Sequence, residues 1–436
     1  MVGRCRDPNS ILPPLAGGGS RGAPVSAIAR IAPNTPNRTP ETPPTQAPMV
    51  GGSAPRSARA QAPLATRAGT RAVAAAAMKV LIVNCKGGGH GSIGLFLARA
   101  LMAAGHQVTI LNDGEQGKLE GKAPFSQYAS LAAKGAEIVW GSPTDPSAYP
   151  AGDFDVVYDN NGKDIDTCKP LIDTYAAKVK HYVYVSSAGM YKADPGQPMS
   201  LEGDKRAEKN HYFVEEYLKE VGAPFTIFRP LYIYGEHTAK DYHQWMMDRV
   251  LRDRPVCIPG SGQQCTSMTN VEDVASMLAL VPGNAKAVGE AFNVCSDRVI
   301  TFDGMAKAIA QAAGKELKVV KYDPEAKVIG PHARPLARTP ARTHALPHAR
   351  TLARTARPTP PPPSATSQGL GKGAKVEGFP FRAIHFFADP SKAKRVLGWK
   401  PKHDFLSDVP ALLEQYKAEG RLDKEPDFSL DDKILA

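Results

Sequence analysis

The stretch Lys79–Asn84 reads Lys-Val-Leu-Ile-Val-Asn and runs, three residues later, into Gly88-Gly89-His90-Gly91-Ser92-Ile93-Gly94. A short apolar run suits a strand covered on both faces. A G-x-x-G-x-x-G cluster after such a strand suits a tight turn whose backbone can approach a pyrophosphate. The helix that follows turns its N–H groups and positive dipole end toward that anion. A helical pattern over Ser92–Ala104 completes the unit, with Gly88, Gly91, Ser92, Ile93 and Gly94 as its dinucleotide-facing residues. Asp113 follows the next apolar run and lies 19 residues beyond Gly94, where an acid can hold a ribose hydroxyl. Beside Gly114 it is equally placed to be a solvated turn residue.

The pattern continues along the chain. Gln107–Asn112, Ala136–Trp140, Phe154–Asp159, His181–Ser187 and Phe225–Arg229 read as strands. Helical patterns lie between most of them, including Ile165–Ala177 and Asp204–Val221. Alternating strands and helices predict an α/β fold with a doubly wound, parallel, Rossmann-type sheet. No apolar run reaches the ~18 residues of a membrane span. Six scattered cysteines do not make a disulfide framework, and most read as small core residues.

The net charge of +11 is unevenly spread. Residues 1–77 hold nine Arg against Asp7 and Glu41, and residues 329–375 hold six Arg and two Lys with no acid. The remaining chain is mildly acidic, so the high isoelectric point is no direct sign of nucleic-acid binding by the folded part. Residues 1–77, acid-poor and rich in Ala, Pro, Arg, Ser and Thr, read as an organelle transit peptide, plastid rather than mitochondrial. The alternative is that Met78 is the true start. Residues 329–375 repeat Pro-His-Ala-Arg-Pro-Leu-Ala-Arg-Thr almost unchanged, from Pro331 and again from Pro347, and then run into prolines. Such a segment buries no core and reads as a disordered insertion between folded parts at 78–328 and 376–436.

Several further segments carry a resemblance. Ser186-Ser187-Ala188-Gly189-Met190-Tyr191, Phe228-Arg229-Pro230-Leu231-Tyr232-Ile233-Tyr234-Gly235 and Val271-Glu272-Asp273-Val274 are three of them. Phe292-Asn293-Val294 and Lys394-Arg395-Val396-Leu397-Gly398-Trp399-Lys400-Pro401 are two more. Together they resemble the extended short-chain dehydrogenase/reductases, in the nucleotide-sugar epimerase branch. That resemblance implies an NAD(P)-binding core with a smaller C-terminal α/β substrate lobe. It also implies active-site roles for Ser187 and Tyr191.

One departure bears on chemistry. The family moves a proton with a Tyr and a Lys four residues apart on a helix, the cation lowering the phenol pKa. Here Tyr212 meets Glu216, and alignment on Glu215 puts Ala207 and His211 at the paired positions. Ser142 also stands where the family often has an Asp near the adenine. Nucleotide-sugar chemistry with NAD(P) is therefore the rival reading, and a non-catalytic RNA or ribosome scaffold a third.

Within this superfamily the chain resembles the chloroplast stem-loop-binding proteins. The match includes Asp155–Asp164, Trp245 with Asp248-Arg249, Phe379-Pro380-Phe381-Arg382 and Phe428–Leu435. The resemblance implies a stromal protein that binds RNA stem-loops in mRNA and rRNA and associates with plastid ribosomes. It also implies divalent-metal-dependent endoribonuclease activity and assembly with itself or a paralogue.

Candidate residues for cleavage follow the fourth strand. Asp159, Asn161, Asp164 and Asp166 lie within eight residues, and hard carboxylate oxygens suit Mg²⁺ held together with substrate phosphate. Asp164 and Asp166 fit as well the cap and first turn of the helix starting near Ile165. Lys163 is a candidate phosphate partner. His211, with an ordinary pKa near 6.5, is a candidate proton shuttle or a surface residue. Three basic clusters are candidate RNA contacts: Lys205, Arg206 and Lys209; Arg249, Arg252 and Arg254; and Lys392, Lys394, Arg395, Lys400 and Lys402. Trp245 and Trp399 lie beside the last two.

Overall fold

The computed structural model describes residues 76–85, 91–192, 199–201, 203, 205–238, 240–324 and 376–436, all within the unit Ala72–Ala436. The transit-peptide reading of 1–77 lies, up to residue 75, outside the described residues, as do the insertion reading of 329–375 and Gly88.

In chain order the strands are β1 Lys79–Asn84, β2 Gln107–Asn112, β3 Glu137–Trp140, β4 Val156–Asn160, β5 His181–Val185, β6 Met199–Ser200, β7 Phe225–Pro230 and β8 Tyr232–Tyr234. They continue as β9 Val256–Pro259, β10 Cys265–Asn270, β11 Glu290–Val294, β12 Val299–Thr301, β13 Val319–Tyr322 and β14 Phe387–Ala388. The helices are α1 Gly91–Ala103, α2 Gln116–Leu119, α3 Tyr128–Ala132, α4 Ile165–Tyr175, α5 His211–Glu220 and α6 His243–Val250. After them come α7 Val271–Leu278, α8 Phe302–Ala313, α9 Ser391–Leu397, α10 Phe405–Ala418 and α11 Ser429–Leu435.

Seven parallel strands form the main sheet in the order β11-β7-β5-β4-β1-β2-β3. The two-residue alternation of a strand sends Val80 and Ile82 to one face, where α1 and α7 add Ile93, Leu97, Val274 and Leu278. Leu81 and Val83 face the other way, toward Leu171 and Ile172 of α4 and Val214 and Leu218 of α5. Both faces are covered, as the apolar strands require. The order reverses between β1 and β4, so the ligand crevice of a doubly wound sheet lies at the carboxyl ends of those strands.

A second core joins α6, α8 and α10 to the small sheets β12-β10-β8 and β13-β9 through Met246, Phe302, Met305, Phe379, Phe381 and Leu413. Among the described residues no helix is long and apolar enough to cross a membrane. Cys168, Cys257 and Cys295 are buried, in keeping with a core role.

The expected helix Asp204–Val221 is corrected: α5 begins at His211. Upstream, Ala207 N donates to Met190 O at 2.7 Å and Lys192 N to Lys205 O at 2.8 Å, so residues 205–207 run extended against 190–192. Asn210 then turns at φ 52°, a left-handed region that Asn enters more readily than most residues, and the helix cannot extend back through it.

The basic cluster of α6 and its exit loop is also corrected. Arg249 is buried, lies 3.5 Å from the Trp245 ring centroid and pairs with buried Asp431 at 2.6 Å. Arg252 donates to the carbonyls of Arg421, Leu422 and Lys424, and Arg254 pairs with Asp432. These arginines clamp the C-terminal segment rather than face solvent as an RNA surface. Asp431→Ala strands the Arg249 charge in the interior, and urea unfolding is expected to show a loss of about 3–5 kcal/mol.

Candidate functional site at the carboxyl ends of the central strands

Three strands of the crevice end in asparagine, and their side chains meet there. Asn160 Nδ2 donates to Asn84 Oδ1 at 2.8 Å, bridging the point where the strand order reverses. Asn84 Nδ2 donates to the Tyr128 hydroxyl at 3.1 Å, and that hydroxyl donates to Asn112 Oδ1 at 2.8 Å. All four residues are buried. The amides thus form a fixed polar floor from β4 across β1 to β2. Neither the asparagines nor Tyr128 stood out in sequence reasoning, although an Asn closing Lys-Val-Leu-Ile-Val-Asn and Gln-Val-Thr-Ile-Leu-Asn was a readable signal.

The glycine pattern has a physical reason in this floor. A Cβ at Gly94 would overlap the Asn84 carboxamide, so only glycine lets α1 settle onto β1. Gly91 opens α1, Ser92 and Ile93 are buried in its first turn, and Asp113 follows β2, half-exposed, with its N–H on Asn84 O at 2.9 Å. A helix start, a close approach without a Cβ and an acid after β2 fit the adenosine and pyrophosphate part of a dinucleotide.

The part that would handle a hydride acceptor does not fit. Ser187 Oγ accepts from Gly189 N at 3.0 Å and caps a short turn. The Tyr191 hydroxyl, buried, donates to Asn293 Oδ1 at 2.7 Å and accepts from Arg229 Nη1 at 2.9 Å. Ala207 sits in the extended segment, while His211 starts α5 with its Nδ1 hydrogen-bonded to the Tyr184 hydroxyl at 2.7 Å. The two positions share no helical face, so a Tyr and Lys there would not be neighbours.

A carboxylate occupies the space beneath. Glu215 is fully buried; its Oε1 accepts from Ser186 Oγ at 2.7 Å and from Arg229 Nε at 3.0 Å. Its Oε2 accepts from Arg229 Nη2 at 2.6 Å and also pairs with Arg206. Burial opposes the Arg229 charge, but the Glu215 carboxylate and Tyr191 more than compensate and hold its pKa above the ordinary value. This lattice was missed in the sequence because its members lie on four separate segments. Only the Arg229-Pro230 turn hinted at it.

The loop after β4 does not group its carboxylates. Asp159 is buried on the α4 side of the sheet, accepting from the Tyr182 hydroxyl at 3.0 Å and from Asn161 N at 3.2 Å. Burial raises its pKa to about 6, against the lowering effect of those hydrogen bonds. Asp164 caps α4, accepting from Thr167 N at 3.1 Å and Thr167 Oγ1 at 2.8 Å, and Asp166 is exposed in the first turn. Asn161 Nδ2 donates to Thr167 O at 3.2 Å. Among the described residues no three His, Cys, Asp or Glu side chains are grouped to hold a metal ion. The cap reading of Asp164 describes what its oxygens do, and this donor set does not fit a resident Mg²⁺.

Of the other candidate RNA contacts, Lys392 and Lys394 pair with Glu290 and Asp297, and Trp399 is buried with its indole N–H on Ser276 Oγ at 3.1 Å. Arg395, Lys400 and Lys402 are exposed. Lys163, Lys205 and Lys209 are exposed at the crevice, and Arg206 is held by Glu215 and Glu216.

Sheet order, glycine approach and second lobe define a Rossmann-type protein built like the nucleotide-sugar epimerases. Solved structures agree on the fold. UDP-glucose 4-epimerase from Thermotoga maritima superposes with a TM-score of 0.53 at 18% identity, over 78% of this chain and 99% of that one. UDP-glucuronic acid 4-epimerase from Bacillus cereus, solved with NAD, gives 0.51 at 16% identity over 77% and 97%. A family of NAD(P)H-binding domains matches residues 88–256. The relationship in sequence is more specific. Chloroplast stem-loop binding protein of 41 kDa b from Arabidopsis thaliana is 33% identical over 372 residues, 82% of this chain and 84% of that protein. The chain belongs to the chloroplast stem-loop binding protein family.

Two outcomes follow from the buried carboxylates. Glu215→Gln leaves buried Arg229 with no counter-charge and Arg206 with Glu216 alone, and is expected to cost about 3–5 kcal/mol by chemical denaturation. For Asp159 the folded pKa, about 6, exceeds the ordinary 3.8. The folded state therefore keeps a proton that the unfolded chain gives up, and stability falls as pH rises from about 4 to 6 before levelling off. In Asp159→Asn this component of the stability curve, followed by thermal melts across that range, is expected to flatten.

Proposed function

We propose that this chain binds RNA stem-loops in the chloroplast, using a cleft of nucleotide-sugar-enzyme ancestry. The observation that carries the reading is the 33% identity, over four-fifths of the chain, to a chloroplast stem-loop binding protein. The chain is chloroplastic, as that relative is, and its acid-poor N-terminal composition is what a plastid address requires.

The geometry supports this reading by weakening its rival. An epimerase or dehydratase needs a proton relay beside the nicotinamide, and general acid–base help is worth about 10²–10⁴ in rate. Tyr191 is engaged by Arg229 and Asn293, and Ala207 has left the helix. Dinucleotide binding without turnover remains compatible with Gly94 and Asp113.

Endonucleolytic cleavage, action on ribosomal RNA and association with plastid ribosomes are finer steps that the family resemblance implies. Since Asp159 and Asp164 are tied into their own loop, binding comes first in this proposal and cleavage second.

One titration separates these readings. The purified chain is mixed with a labelled stem-loop, with NADP(H), NAD(H) and UDP-glucose, each with and without Mg²⁺. Saturable RNA binding that weakens steeply with salt is the expected result. Epimerase or dehydrogenase turnover without RNA affinity overturns it. Mg²⁺-dependent cutting that persists in Asp164→Asn removes that carboxylate from any cleavage mechanism.

A further inference from the structure

Phe213 is half-exposed, at 50%, on the first turn of α5. The buried stripe of α5 is Val214, Glu215 and Leu218, so position 213 lies on the outward face of the helix. The Tyr212 ring meets the Phe213 ring edge to face, with centroids 5.6 Å apart and planes at 78°. The Arg206 guanidinium lies 4.8 Å from the Tyr212 ring centroid. Arg206 is in turn fixed by the buried Glu215 carboxylate and by Glu216 at 2.9 Å. A chain of contacts thus runs from the interior to one exposed aromatic ring.

Four exposed lysines lie on segments tied to the start of α5. Lys205 and Lys209 belong to the extended segment and turn before α5, and Lys192 is hydrogen-bonded through its backbone to Lys205 O. Lys163 follows Gly162, whose carbonyl accepts from the Tyr184 hydroxyl at 3.3 Å; the same hydroxyl contacts His211, the first residue of α5. Among the described residues of these segments and of α4 and α5, the exposed acids are Asp166, Asp173, Glu208 and Glu220, and Glu216 and Asp173 are already paired with Arg206 and Lys169. The site therefore has a cationic rim and a fixed aromatic face. Phosphates are attracted to such a rim, and every base can stack on such a face. A paired stem keeps its bases stacked internally and offers none. An unpaired loop does.

We propose that the mouth of the crevice around the start of α5 holds the single-stranded loop of a hairpin RNA, with one unpaired base stacked on Phe213 and loop phosphates on Lys163, Lys192, Lys205 and Lys209. This rests on the RNA-binding reading above and specifies where and what part of the RNA is held. The Glu215–Arg206–Tyr212 contacts brace the ring that Phe213 meets edge to face, and so belong to the proposed site.

The test uses the full chain with a labelled hairpin carrying an unpaired loop and with a blunt duplex of the same stem. Phe213→Ala is expected to weaken hairpin binding about tenfold or more and to leave duplex binding unchanged. Phe213→Trp is expected to keep wild-type affinity and to lose tryptophan fluorescence as the hairpin is added. Removing two cations in Lys205→Ala/Lys209→Ala is expected to lower the log–log salt slope by about 1.4. If the unaltered chain binds the hairpin and all three variants match it in affinity and salt slope, this site is wrong while the RNA reading stands. If the unaltered chain binds no RNA, the reading itself falls and takes the site with it. If Phe213→Ala changes the oligomeric state by light scattering but not the RNA affinity, the ring is a contact between copies of the chain, and the proposal is overturned.

Discussion

A carboxylate buried without exposure has to be matched charge for charge and bond for bond, and Glu215 is matched by Ser186 from the end of β5, Arg229 from β7 and Arg206 from the extended segment ahead of α5. Much of the crevice follows from that requirement. Arg229 must lie flat enough to reach both Glu215 oxygens, and so its remaining nitrogen reaches Tyr191. Arg206 can reach Glu215 only if its segment folds back along residues 190–192, and that course ends the helix early. Burying such a set is expensive unless every member is satisfied, and removing one leaves the others exposed to the full penalty.

Across the reversal point itself the constraint is neutral. Asn160, Asn84, Tyr128 and Asn112 satisfy one another across three strand ends, and Gly94 leaves room for them. A polar floor of this kind can accept a nucleotide without being chemically active. The floor beside Gly94 and Asp113 has a form that suits the adenosine and pyrophosphate of a dinucleotide, while ion pairs occupy the space around Ser186 and Tyr191. This division is consistent with a match to NAD(P)H-binding domains and a sequence relationship to a stem-loop binding protein in one chain.

The fold was legible because local signals agreed with the global one. Lys79–Asn84 and Gln107–Asn112 run over the residues the apolar pattern gives, and Ile165 opens α4 as its preceding Asp164 cap indicates. The start of α5 was misread because the periodic pattern of 204–221 is compatible with a helix throughout; only the pairing with a distant segment and the backbone turn at Asn210 decide against it. The carboxylates after β4 looked like one group because they are close in sequence. A strand residue, a cap and a first-turn residue point in three directions, and Asp159 faces the opposite side of the sheet from Asn160. Arg249, Arg252 and Arg254 looked like a surface because composition does not reveal Asp431 and the C-terminal carbonyls that occupy them. Glu215 was used for alignment, but its own role depends on partners that only the folded chain brings together.

The early end of α5 also limits what substitution alone could do at positions 207 and 211. Restoring the two side chains at positions 207 and 211 would set a phenol on a backbone stretch bridged to residue 190 and an ammonium at a helix start, with a left-handed turn at Asn210 between them. The two side chains would share a helical face only if that stretch recoiled into helix, which would draw Arg206 away from Glu215 and unbalance the interior. Setting a Tyr and a Lys side by side at these positions therefore takes a change of backbone course as well as two substitutions, and the balance of buried charge around Glu215 stands against that change.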